Sequence, residues 1–200
     1  MIIHDGIAAL RPVIVSVTQF GDVAVLMPLA SIILIWLLLI RSYRSAGWWA
    51  ISVVLCSIAI FVLKLVFYQC APIPQLHSPS GHTSLSTLIY GAITLVTAAE
   101  TKGFLQKIML CAGVGFILAI AASRLFLNVH TLAEVGMGLA IGAASLVLFC
   151  RSYRQLGGET VQVILLIAAS ATLIVVLHGR VFDAQTIVQN IAIHLRIYCT

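Results

Sequence analysis

The sequence predicts an all-α fold: an integral membrane bundle of six spanning helices, with the N and C termini both extracytoplasmic. Three observations carry that prediction. Hydrophobic residues make up 62% of the 200 positions and charged residues 8%, where a soluble domain carries about 25% charged residues, and the mean hydropathy is +1.14. The apolar residues gather into six runs, each near the roughly 20 residues that a bilayer-spanning helix needs. The polar stretches between the runs are short, which joins neighbouring helices in antiparallel pairs and leaves one membrane domain over residues 1–200.

This balance excludes a water-soluble globule, a disordered chain and a nucleic-acid binder. The net charge of +5 comes from eleven Lys and Arg against six Asp and Glu, spread thinly along the chain, with no basic cluster of the kind a polyanion requires.

Residues 1–22 come first. They lack a basic n-region and a small-residue cleavage site, so no removable signal peptide is expected. Ile2, Ile3, Ile7, Leu10, Ile14 and Val17 recur at helical intervals, as do several apolar residues in 185–198. Both end segments are therefore expected to form interfacial amphipathic helices. The six spans follow at about 23–40, 48–70, 82–99, 108–127, 131–150 and 161–178. In the fifth, Gly136, Gly138, Ala140, Gly142 and Ala143 predict close packing on a neighbouring helix. Whether that neighbour belongs to the same chain, and hence the oligomeric state, is left open.

Orientation follows from the loops. The first, third and fifth carry Arg41, Arg44, Lys102, Lys107, Arg151 and Arg154 against Glu100 and Glu159, a net of +4. The opposite side, with both termini, balances Arg11, Arg180 and Arg196 against Asp5, Asp22 and Asp183. The positive-inside rule puts the odd loops in the cytoplasm, so the second and fourth connections face outward across an inner (cytoplasmic) membrane. The five cysteines (Cys56, Cys70, Cys111, Cys150 and Cys199) show no CxxC spacing and read as small buried hydrophobes.

The remaining ionisable residues gather at one end of the bundle. Lys64, His82, Arg124, His130 and Glu134 all fall within about two turns of the outer ends of spans two to five. A cation inside a spanning segment costs roughly 2.5–3.5 kcal/mol on insertion scales, so it faces a cavity, finds a partner or snorkels to headgroups. Two imidazoles and a carboxylate beside two cations favour a shared site suited to phosphoryl transfer without a metal.

Two strings sharpen this. In Pro79-Ser80-Gly81-His82, Ser80 is a helix N-cap, Gly81 permits close backbone approach, and the free N–H groups of the helix start suit an anion. In Ser123-Arg124, five residues, His130, three residues, Glu134, the last two share a helix face. The carboxylate can then hold one imidazole nitrogen while the other attacks as a nucleophile.

These strings resemble those of the type 2 phosphatidic acid phosphatase superfamily, the lipid phosphate phosphatases. That family's pattern is Lys, six residues, Arg-Pro; then Pro-Ser-Gly-His; then Ser-Arg, five residues, His, three residues, Asp. The second motif matches at Pro79 to His82 and the third at Ser123, Arg124 and His130, with Glu134 in place of Asp. The first matches at Lys64 but has Ala71-Pro72 in place of Arg-Pro.

The resemblance implies a hydrolase that forms a phosphohistidine on His130. His82 would serve as acid and then base, and Glu134 would orient His130. Lys64, Arg124, Ser80, Gly81 and Ser123 would hold the phosphoryl oxygens. It implies no metal or other cofactor, and a lipid mono- or diphosphate as substrate, undecaprenyl pyrophosphate first. Ala71 removes a bidentate clamp that a lysine cannot replace, and Gln69, Gln75 and His77 are nearby candidate donors. A lipid-linked phosphotransferase and a non-catalytic lipid-phosphate binding or transport protein are the alternatives.

Overall fold

The computed structural model describes residues 2–70, 78–153 and 160–195. Ala71, Pro72, Gln75 and His77, the loop charges Arg154 and Glu159, Arg196 and Cys199, and the side chains of Gln69 and Cys70 lie outside the described residues.

The described residues fold into eight α-helices and no strand: α1 (Ile2–Gln19), α2 (Val23–Leu39), α3 (Tyr43–Cys70), α4 (Gly81–Ala99), α5 (Gly103–Phe126), α6 (Leu132–Ser152), α7 (Thr160–Leu177) and α8 (Ala184–Leu195). Helices dominate because lipid offers no partner to backbone N–H and C=O groups, which each helix satisfies internally. Helices α2 to α7 occupy the six apolar runs, and α1 and α8 the two terminal segments.

Among the described residues, three helices are long and apolar enough to cross a membrane: α3, α5 and α6. The count rises to four if α1 and α2, bent by 40° at their junction, act as one broken span. The expected six is therefore not reached on those criteria, for a physical reason in each remaining case. Helix α4 carries buried hydroxyls (Thr83, Ser84, Ser86 and Thr87) where a lipid-facing helix would carry Leu or Ile. Helix α7 contributes a shorter apolar stretch, Gln162–Leu177. Together the apolar helices describe a multi-pass membrane protein.

Helix α4 lies at the centre, packed on α5 and α6, and α3 and α2 also touch it. The buried core runs through Leu26, Leu29, Ile33, Trp49, Leu88, Ile89, Ile120 and Phe149. Two indoles pin helices together by donating to carbonyls across the core, Trp49 Nε1 to Ala30 at 2.9 Å and Trp36 Nε1 to Gln162 at 2.9 Å. Trp49 also meets Phe149 edge-on, with ring centroids 5.1 Å apart.

The small residues of α6 do what their spacing predicts, and the neighbour is α4 of the same chain. A methyl group on Gly138 would come within 2.7 Å of the Ser80 carbonyl oxygen, and one on Gly142 would strike the Ser84 carbonyl. Gly136 points into open space. The backbone-to-backbone approach at Gly138 brings the start of α4 against the start of α6, which joins the two motifs.

Candidate active site

Helix α6 begins with a capping box. The Thr131 hydroxyl accepts from the Glu134 N–H at 3.3 Å, and the Glu134 carboxylate accepts from the Thr131 N–H at 2.9 Å, so two otherwise orphaned donors are satisfied reciprocally. The same carboxylate oxygen, Oε2, lies 2.9 Å from His130 Nδ1. Oε1 accepts from the Ser78 N–H at 3.3 Å, and the Glu134 main-chain carbonyl accepts from the Ser80 N–H at 3.1 Å. Glu134 is buried, and its extra methylene relative to Asp lets one side chain close the cap, hold His130 and anchor the segment before α4.

His130 stands in the turn between α5 and α6. Asn128 adopts a left-handed conformation there (φ 54°), which Asn tolerates better than most residues. The His130 side chain is 7% exposed. Burial pushes its pKa below the ordinary value, and the positive charges of Arg124 and Lys64 push the same way, against the hydrogen bond and charge of Glu134. The imidazole is thus held neutral. With Nδ1 on Glu134, the lone pair is presented at Nε2, the form a nucleophile needs.

Ser80 caps α4, its side chain accepting from the Thr83 N–H at 3.4 Å and from the Thr83 hydroxyl at 3.0 Å. That leaves the Ser80 hydroxyl hydrogen for another acceptor. Gly81 and His82 open the helix. Lys64, on α3, is buried, and its Cε lies 4.0 Å from where a Gly81 side chain would begin. Arg124, near the end of α5, donates from Nη1 to the Thr18 hydroxyl at 2.9 Å, while its buried Nε finds no partner among the described residues. Arg124, His130 and Lys64 all lie within electrostatic reach of His82.

The expected residues therefore come together, with one difference in detail. Ser123 is buried but its hydroxyl donates to the Ile120 carbonyl of its own helix at 2.6 Å, so it brings no free donor to an anion.

Sequence reasoning missed the corner between α1 and α2. Besides Thr18, it contributes Gly21, where a Cβ would come within 3.2 Å of the His82 ring, and Asp22, whose Oδ2 lies 3.8 Å from His82 Nε2. An Asp directly before an apolar run is a legible N-cap signal, but nothing in the sequence points it at His82. The capping box was legible in Thr131-Leu132-Ala133-Glu134. Among the described residues no group of three or more His, Cys, Asp or Glu is placed to hold a metal ion.

Fold and site together define a helical, multi-pass membrane protein with two imidazoles, a paired carboxylate and two buried cations at one end of its bundle. Within it, residues 66–158, just under half of the chain, match the family model described as the PAP2 superfamily. The resemblance carried by the motifs is thereby shown: the match holds the second and third motifs whole and starts just after Lys64. The chain is also similar to an uncharacterized 22.5 kDa protein in the cps region of Klebsiella pneumoniae, 29% identical over 137 residues. That alignment covers 66% of this chain and 66% of the relative, just under two thirds of its length. No solved structure gives a significant match.

Proposed function

We propose that this protein is a membrane lipid phosphatase that hydrolyses a lipid phosphate or diphosphate through a phosphohistidine at the extracytoplasmic face. The observation that carries the reading is the 2.9 Å contact of His130 Nδ1 with Glu134, which frees Nε2 to attack phosphorus within the field of Lys64, Arg124 and His82. As the N–P bond forms and the P–O bond breaks, His82 gives a proton to the leaving oxygen. It then takes one from the water that hydrolyses the phosphohistidine. Lys64, Arg124, the Ser80 hydroxyl and the N–H groups at Gly81 hold the phosphoryl oxygens. No step calls for a metal.

A cavity of about 280 Å³ between α2, α3, α4 and α8 supports a lipid substrate. Its wall is mainly apolar, with Met27, Ile60, Phe61 and Leu85, and Lys64 and Gly81 also line it. A lipid tail can lie there while the headgroup stays with the cations. The charge asymmetry of the loops supports the outward-facing site, and a carrier such as undecaprenyl pyrophosphate is the first substrate to try.

The test is phosphate release by the detergent-purified protein in excess EDTA, over a panel of lipid mono- and diphosphates, beside His130→Ala. Release that disappears in the variant is expected, and the panel ranks the substrates. Lipid-phosphate binding without release from any of them would instead indicate a binding protein, and release only with an added acceptor alcohol would indicate a transferase.

A further inference from the structure

We propose that Asp22 is the positioning residue of His82: its carboxylate faces the ring and supplies the counter-charge to the imidazolium that gives its proton to the leaving oxygen. The inference rests on the phosphatase reading above. It concerns a residue outside the three motifs and outside the segment that matches the family model.

The argument starts from the charges around His82. Lys64 on α3 and Arg124 on α5 are the cations within reach of its ring, and His130 in the α5–α6 turn is the second imidazole beside it. Glu134 is bound to His130, Thr131 and Ser78. The carboxylate that faces His82 is that of Asp22, with Oδ2 3.8 Å from Nε2. This is an ion-pair distance, and Asp22 is buried, where such a charge is poorly screened.

The two oxygens of Asp22 are divided between two tasks. Oδ1 accepts from the Ala24 N–H at 2.8 Å, which caps α2, and from the Phe182 N–H at 3.0 Å, which ties the segment before α8 to the same corner. Oδ2 is the oxygen turned to His82. The Asp22 charge also reaches Arg124, so a His82→Ala background is the control that separates the two partners. Gly21 completes the arrangement, because any side chain there would press on the His82 ring and on Ile120.

This division makes the proposal testable with Asp22→Asn, which keeps a carbonyl oxygen for Ala24 and Phe182 and removes the charge facing His82. The probes are a lipid alkyl phosphate, whose alkoxide leaves only when protonated, and p-nitrophenyl phosphate, whose phenolate leaves without help. In the full-length protein, Asp22→Asn is expected to lower kcat/KM, which reports the step that releases the leaving group, by about tenfold or more on the lipid phosphate, within the range of general acid catalysis. On p-nitrophenyl phosphate it should stay within about threefold of wild type, on the same basis. In a His82→Ala background, Asp22→Asn should change neither rate further.

Equal losses on the two substrates, no loss on either, or a further loss in the His82→Ala background would overturn the proposal and leave the phosphatase reading standing. A wild-type protein inert on both substrates would remove the phosphatase reading, and this inference with it. Where Asp22→Asn proves too unstable to purify, Asp22→Ser retains a good N-cap without the charge, and the same comparison decides.

Discussion

The Ser80 N–H donates to the main-chain carbonyl of Glu134 at 3.1 Å, so the segment that opens α4 and the first turn of α6 form one hydrogen-bonded unit. The two helix starts are coupled before any side chain meets a substrate. A change in Glu134 is consequently expected to reach both histidines, His130 through the side chain and His82 through the α4 start.

Glu134→Gln tests that coupling. The amide offers one acceptor oxygen where the carboxylate offers two, so its NH2 must face either the Ser78 N–H or the pair His130 and Thr131. One charge-assisted hydrogen bond is lost in the first rotamer and two in the second, each worth about 1.5–3 kcal/mol. A kcat lower by roughly one to two orders of magnitude, with a smaller change in KM, is the expected steady-state result.

Gly138 and Gly136 offer a contrast within one helix. Alanine at 138 would place its Cβ 2.7 Å from the Ser80 carbonyl, a backbone atom that cannot rotate away, so α4 and α6 must part. Overpacking of this kind costs about 1–3 kcal/mol. Gly138→Ala should therefore melt at lower temperature and lose activity as the Ser80–Glu134 bond is strained. Gly136→Ala meets nothing within 4 Å and gains the helix preference of Ala over Gly, about 0.5–1 kcal/mol. Thermal melting in detergent should rank them on opposite sides of wild type.

The pH dependence follows from the direction of the His130 shift. Burial first, and then Arg124 and Lys64, lower its pKa against the pull of Glu134. Only the neutral ring can attack, so the acid limb of kcat/KM should lie below the ordinary histidine value of about 6.5. Removing one opposing positive charge, as in Lys64→Met, lets the pKa rise and should move that limb to higher pH while the rate falls. Rate profiles between pH 4.5 and 8 for the two proteins check the sign; a limb that stays in place or moves down would contradict this assignment of the nucleophile.

Much of this architecture is legible in the sequence, because in lipid the apolar run and the helix coincide. The ends are less so. Helix α3 begins at Tyr43 and α5 at Gly103, each about a turn before its apolar run, because polar residues can start a helix at the aqueous end. The Gln106 amide, for instance, donates to the Ala98 carbonyl at 3.0 Å across that loop. The second and third motifs locate His82, His130 and Glu134 because their spacings are local. Thr18, Gly21 and Asp22 are invisible by the same logic. They read as part of an interfacial helix, and their contacts with Arg124 and His82 are made across the bundle, where no sequence spacing records them.

Arg124 shows what that hidden corner contributes to binding. Its Nη1 is anchored on Thr18 and its Nε is buried without a partner among the described residues, a geometry that holds a planar fork in place for a phosphoryl group. Arg124→Lys keeps one charge but loses the fork, so it should lower kcat/KM by about 1.5–3 kcal/mol, or roughly one to two orders of magnitude, the scale of a lost charged hydrogen bond. Thr18→Val leaves the guanidinium intact and removes only its anchor, a neutral partner worth about 1 kcal/mol, so a loss of about fivefold is expected. In the double variant the Thr18 effect should vanish, because a lysine at 124 has no Nη1 to anchor. A steady-state double-mutant cycle on one lipid phosphate measures that non-additivity. Fully additive losses would mean that Thr18 supports the corner without positioning Arg124.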